Sequence, residues 1–382
     1  MGINFDMIDY LKEANIPYSR LHDVGGPYGA FKFVDVPNIF RDFSADENDP
    51  ASYDFAFTDL LVTALCERDV EPYFRLGVTI ENQHKIKAYR IFPPADFAKW
   101  ARICEHIIRH YTEGWANGFN YKITYWEIWN EPDQPGDPDD STKNPMWQGT
   151  REQYYELYSV AAKHLKACFP HLKIGGYGHC GFKAKSEYWM SYEGGKNQWM
   201  HLRFITFFEG FLEHVKKTGA PLDFFSWHTY ERELRDIPTY CRYVREALDS
   251  FGFCDTAISC NEWNIKVGAR GSFEHAALNA ATLIILSNEP VDNAEFYDAR
   301  YGTSKYGSFF DPTTAKPYPT YYAFRAFGRL YALGERIAVA SDDPEIYVIG
   351  AKGEGRGEVM LVNPTAEAKP IELSTDEPFV SL

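Results

Sequence analysis

Apolar residues along this chain fall into short runs, separated by longer stretches in which they recur about every three to four positions. Strands alternating with amphipathic helices give this pattern. Seven strands are read: 20–24, 71–78, 122–131, 172–178, 223–230, 256–264 and 293–300. The clearest helices are 95–112, after Pro93-Pro94, and 150–168, where Thr150 and Gln153 have the spacing of a capping box. Others are read near 200–218, 238–250, 273–288 and 320–333. Strand and helix repeated in turn build a parallel sheet wrapped by helices.

The repeat length suits a closed (β/α)₈ barrel, which needs an eighth strand. The chain opens on the helical pattern FDMIDYLKEAN at 5–15, so the expected fold is an α/β TIM-type barrel lacking its first strand. Either MGIN at 1–4 is a remnant of that strand, or a gap beside the last strand exposes backbone groups that a loop, or a second copy of the chain in a homo-oligomer, must cover. Beyond Gly334 the pattern changes to EIYVIGAK, a turn GEGRG, then EVMLVN. Residues 1–335 are therefore expected to form the barrel, and 336–382 a small antiparallel, β-sandwich-like appendage. No helix follows GEGRG, so its glycines suit a hairpin rather than a phosphate cradle.

Hydrophobic residues make up 45% of the 382, ample for a large core, and aromatic residues 16%, enough for ring-faced surfaces that could bind sugars. A net charge of −15 opposes binding to nucleic acid or an anionic membrane and favours a neutral substrate. Seven cysteines without CxxC spacing read as reduced thiols of a cytoplasmic protein. The longest apolar stretch, 276–287, is too short to cross a bilayer, and the start does not read as a secretory signal.

In such a barrel the active site forms where the strands end at their C-termini. Polar residues close several of the strands: His22-Asp23, Asn130-Glu131, His228 with Tyr230, Asn261-Glu262 and Tyr297-Asp298. The stretch YWEIWNEPD at 125–133 sets Glu127 and Glu131 in an otherwise apolar strand, where a carboxylate needs a partner or a task. Glu131 and Glu262 lie three strands apart in the ring and can face each other across its mouth. Two such carboxylates flanking a bond are what glycoside hydrolysis requires.

WNEP at 129–132 and NEWN at 261–264 resemble the acid/base and nucleophile strands of the clan of retaining (β/α)₈ glycosidases, and within it glycoside hydrolase family 39, the β-xylosidase and α-L-iduronidase family. RLHD at 20–23, MWQGTREQYYELY at 146–158, PLDFFSWHTY at 221–230 and PYPTYYAFR at 317–325 extend the resemblance over roughly residues 5–335. It implies Glu131 as general acid then base and Glu262 as nucleophile, on strands four and seven if the absent strand is the first. It also implies that Asn130 binds the sugar 2-hydroxyl, Tyr230 aims Glu262, His22 and His228 line the sugar subsite, and Arg20 pairs with the nucleophile. Trp147 and Tyr297 are candidate sugar-stacking walls. The implied activity is a retaining exo-glycosidase releasing a terminal sugar, such as a β-xyloside, from an oligosaccharide, with no cofactor. Asp23 in place of glycine, and Phe296-Tyr297 where the family tends to place a tryptophan, depart from the family pattern.

Blander readings stand beside these. Glu127 reads as structural, paired inside the barrel with a basic residue such as Arg75. A zinc site at His22, His179 and His228 lacks any ligand pair at useful spacing. GYGHCG at 176–181 matches GxGxxG but opens no convincing helix, so its glycines read as a strand exit. The alternative from another class is a carbohydrate-binding protein on a degenerate barrel, its glutamates acting only as acceptors.

Overall fold

The structure, a computed structural model, describes residues 7–21, 25–26, 32–79, 91–135, 144–299, 301, 305–353 and 355–374. Seven strands form one parallel sheet in chain order: β1 (Tyr18–Arg20), β2 (Glu71–Leu76), β3 (Tyr125–Ile128), β4 (Lys173–His179), β5 (Phe224–Glu231), β6 (Ala257–Ile265) and β7 (Asn293–Phe296). Each pairs with the next in parallel. The sheet curls until Cα atoms of β7 and β1 lie within 8 Å, yet among the described residues no ladder joins them. The result is a nearly closed barrel of the expected kind. Residues 1–6, including MGIN, lie outside the described residues, as do His22 and Asp23.

Among the described residues, eight longer helices accompany the strands: α1 (Ile8–Glu13), α2 (Ala56–Cys66), α3 (Phe97–Thr112), α4 (Arg151–Cys168), α5 (Gln198–Thr218), α6 (Ile237–Phe251), α7 (Phe273–Asn288) and α8 (Pro319–Leu333). Thr150 and Gln153 form the expected capping box at the start of α4. The sequence reading did not single out α2, which has no side-chain cap to mark its start. Across the sheet gap the helix layer is continuous, because α1 packs on α8. Tyr10 meets Tyr321 edge to face at 5.2 Å. A Cβ on Gly328 would fall 1.7 Å from the Ala14 carbonyl oxygen, so only glycine allows that approach.

Inside the barrel, Tyr18, Tyr73, Tyr125 and Phe224 form an aromatic floor, with Tyr73 stacked on Tyr125 at 5.1 Å. Arg20 and Glu127 make a polar layer above it, and the strand ends lie above that. A further antiparallel sheet, β8 (Glu335–Ile337), β9 (Tyr347–Gly353) and β10 (Arg356–Val362), lies against α7 and α8. Among the described residues its second layer is those helices. All seven cysteines are free, and among the described residues no helix is long and apolar enough to cross a membrane.

Candidate active site

Strict alternation along β3 would point Trp129 inward and Asn130 outward. Instead the strand leaves the sheet through two left-handed residues, Trp129 at φ 77° and Glu131 at φ 47°. Such conformations cost a residue with a Cβ about 1–3 kcal/mol each and persist only where the surroundings fix them. Trp129 is held in the core, its Nε1 donating to Met146 O at 2.9 Å and its ring 5.1 Å from Trp147. The Glu131 N–H is shared between Tyr177 O and Gly178 O, both at 3.1 Å. Both Asn130 and Glu131 can then face the pocket.

On the opposite wall, the β5–β6 register shifts between Trp227 and His228, which sets His228 beside Glu262. Local shifts of this kind re-aim side chains near active sites. His228 lies between the two carboxylates: Nδ1 is 2.8 Å from Glu131 Oε1, while Nε2, without a hydrogen-bond partner among the described residues, lies 3.5 Å from Glu262 Oε2. Donor atoms of all three residues lie within 4.8 Å of one another. Glu131 is 8% exposed and Glu262 5%, so both sit at the edge of solvent.

The two carboxylates have different partners. Glu262 accepts a short hydrogen bond from the Tyr230 hydroxyl and one from Arg20 Nη1 at 3.1 Å. Burial pushes its pKa above the usual carboxylate value; His228, Arg20 and the Tyr230 hydrogen bond pull down, while Glu131 pushes further up. Glu131 accepts from Gln134 Nε2 at 2.7 Å and meets His228. Burial depresses His228 to about 4, so its ring is neutral near pH 7 and carries a single N–H. That N–H can face Glu131 when this carboxylate is ionised, or Glu262 when Glu131 holds the proton.

Arg20 is the hub beneath the pair. Its Nε donates to Glu127 Oε2 at 2.7 Å and its Nη2 to Asn130 Oδ1 at 2.6 Å, besides the bond to Glu262. Glu127 therefore pairs with Arg20, not with Arg75 as expected, although Arg75 lies opposite it in the ladder. Arg75 sends Nη1 to Val78 O instead. Ser226 and Asn261 also donate to Glu127, at 2.6 and 2.7 Å. Burial opposes the Glu127 charge, but Arg20 and these donors more than offset it and hold the carboxyl below its usual range.

Most of the residues expected in the site thus converge: Arg20, Asn130, Glu131, His228, Tyr230 and Glu262. Asn130 is fully buried, and its Nδ2 has no partner among the described residues, so its amide N–H groups remain for a ligand. Tyr297 flanks the site half-buried, its ring 6.1 Å from that of Tyr230. Trp147 does not offer a sugar-stacking face: it is 1% exposed, packed on Trp129 and Tyr154, with Nε1 bonded to Thr150 O. It is a core residue supporting the β3 exit. Gln134 and Gly178 were not foreseen. Gly178, at φ 66°, leaves room that a Cβ would take from Asn130, His228 and Arg20.

Among the described residues, two groups of side chains have ligand atoms close enough to share an ion. In the first, Glu131, His228 and Glu262, the Arg20 guanidinium already occupies one Glu262 oxygen and disfavours a second cation. In the second, Glu105, His164 and Cys168, Glu105 is taken by Arg109 and His164, which makes a polar contact between α3 and α4.

A sequence profile of glycosyl hydrolases family 39 matches residues 32–300. A β-xylosidase of Geobacillus stearothermophilus is 23% identical over 380 residues, covering 87% of this chain and 69% of the relative. A β-xylosidase of Caldicellulosiruptor saccharolyticus is 22% identical over 360 residues, covering 84% of this chain and 66% of the relative. Among solved structures, a glucosidase from Croceicoccus marinus matches with a TM-score of 0.67 at 28% identity, over 91% of this chain and 68% of that one. A family 39 β-xylosidase from Caulobacter crescentus matches with a TM-score of 0.63 at 19% identity, over 91% and 73%, a likeness of fold alone. The chain spans about two thirds of the length of the curated relatives. With the profile matching well over half of its residues, this chain belongs to glycosyl hydrolases family 39 and is a glycoside hydrolase.

Proposed function

We propose that the protein is a retaining exo-glycosidase that removes a terminal sugar by double displacement, within a catalytic unit spanning residues 1–335. The observation that carries this reading is the closeness of Glu131 and Glu262, which bring one carboxylate oxygen each to within 4.8 Å of the other. Retaining enzymes hold their carboxyl groups about 5–5.5 Å apart, whereas inverting ones leave roughly 6.5–9.5 Å for an intervening water.

In the first step Glu131 gives its proton to the glycosidic oxygen as the Glu262 carboxylate attacks the anomeric carbon. The bond to the leaving group breaks and a glycosyl ester forms. In the second step Glu131, now ionised, takes a proton from water, which attacks the same carbon and returns Glu262 as carboxylate. Arg20 and Tyr230 stabilise charge on Glu262 before attack and after release. The open Asn130 Nδ2 suits the sugar 2-hydroxyl, a contact that strengthens as positive charge builds on the ring.

The substrate proposed is a β-xyloside at the end of an oligosaccharide, since the two curated relatives described above bear the name β-xylosidase. A panel of nitrophenyl glycosides tests this. Turnover is expected to be fastest on the β-xyloside; faster turnover on another sugar would overturn that assignment, and none on any sugar would overturn the glycosidase reading.

A further inference from the structure

The β3 exit raises a question that the carboxylates alone do not answer. Glu131 sits at φ 47°, two residues after Trp129 at φ 77°, and a backbone in that state holds its side chain in place only if several contacts fix it. Two sets of contacts tie this turn to the end of β4. One is the Glu131 N–H shared by the Tyr177 and Gly178 carbonyls. The other is Asp133, whose Oδ2 accepts from Cys180 N at 3.1 Å and lies 2.6 Å from His179 Nδ1.

Asp133 and His179 are both fully buried. Aromatic neighbours fix the His179 ring, with Phe182 at 4.3 Å and Phe208 at 5.7 Å between centroids, and the Tyr177 hydroxyl lies 3.3 Å from Nδ1. Stability alone gives little reason for such a pair. Replacing both partners of a buried polar pair by apolar groups of the same shape is often nearly neutral, and this pair leaves Asp133 Oδ1 and His179 Nε2 without partners among the described residues. Its position is more informative. It clamps the turn running from Glu131 to Gln134, and Gln134 in turn holds the Glu131 carboxyl through Nε2.

We infer that Asp133 and His179 form a buried clamp that positions the acid/base Glu131, an inference that rests on the double-displacement reading. The clamp acts through the backbone and touches no reacting atom, so both are positioning residues. A carboxyl displaced by about 1 Å loses on the order of 10²-fold in rate. In kcat/KM, which reports the first step, the loss falls on proton donation, because Glu262 is held separately by Arg20 and Tyr230.

The test uses aryl glycosides of the preferred sugar with leaving groups ranging from dinitrophenol to phenol. Asp133→Asn should lower kcat/KM about 10²-fold on the phenyl glycoside and less than about 3-fold on the dinitrophenyl glycoside, whose leaving group needs little acid assistance. His179→Gln should show the same dependence on leaving group. Thermal unfolding of each variant separates this from misfolding, and Glu131→Ala supplies the reference pattern. A uniform loss across leaving groups, or no loss, in both folded clamp variants overturns the inference while leaving the catalytic assignment intact. Absence of the leaving-group dependence in Glu131→Ala overturns the acid/base assignment and the inference with it.

Discussion

Glu127 on β3 and Glu131, four residues further along, are both buried, yet their surroundings suit them to opposite tasks. Glu127 receives a guanidinium, a hydroxyl and an amide, and its charge is stabilised beyond that of a free carboxylate. Glu131 sits one layer higher, past the end of the regular strand, against a neutral imidazole and within 4.8 Å of a second carboxylate. The lower layer fixes a charge, and the upper one can move a proton. Arg20 connects them, since the same guanidinium satisfies Glu127 and draws Glu262 toward its ionised form.

The sharpest way to break this comparison is to exchange its outcomes by mutation. Glu262→Ala should lose at least about 10⁴-fold in kcat while unfolding near the wild-type temperature. Glu127→Gln should cost about 3 kcal/mol of stability by leaving buried Arg20 short of a counter-charge. The sign of its pH dependence follows from the depressed Glu127 pKa. The stabilisation is fully present above the ordinary carboxylate value of 4.5 and is lost as pH falls through the lower folded value. Denaturant unfolding at several pH values should therefore show wild type and Glu127→Gln converging in acid. A gap that widens in acid would contradict the assignment.

A smaller effect sharpens the upper layer. The raised pKa of Glu262 means that its ionised, attacking form disappears as pH falls through a value above 4.5. The acid limb of the kcat/KM profile should lie above 4.5, and Arg20→Lys should move it further up by weakening the charge-assisted hydrogen bond. A limb at or below 4.5, or a shift downward in the variant, would sink this account of Glu262.

Much of the barrel could be read from the chain because its strands are buried on both faces and appear as apolar runs ending in polar residues. β4 to β6 were placed to within about one residue for this reason. The proposed catalytic pair drew notice for a related reason, since carboxylates inside such runs demand explanation. The partner of Glu127 could not. Arg75 lies opposite Glu127 in the ladder, but reach and direction across the barrel interior select Arg20, 107 residues away in the chain. Trp147 was misjudged because nothing in a sequence distinguishes an indole packed under a strand exit from one lining a pocket. Left-handed Trp129 and Glu131 break the strand alternation without any glycine to signal it, so the clamp beneath them, Asp133 and His179, could be recognised only from the fold.

The central claim, that Glu262 forms a covalent bond to the sugar, is tested most directly by incubating the enzyme with a 2-fluoro analogue of its substrate carrying a good leaving group, then mapping the labelled peptide by mass spectrometry. The account predicts one glycosyl unit per chain, attached at Glu262 and absent from Glu262→Ala. Label on Glu131 or Glu127, or turnover to an anomer of inverted configuration with no label at all, would contradict it.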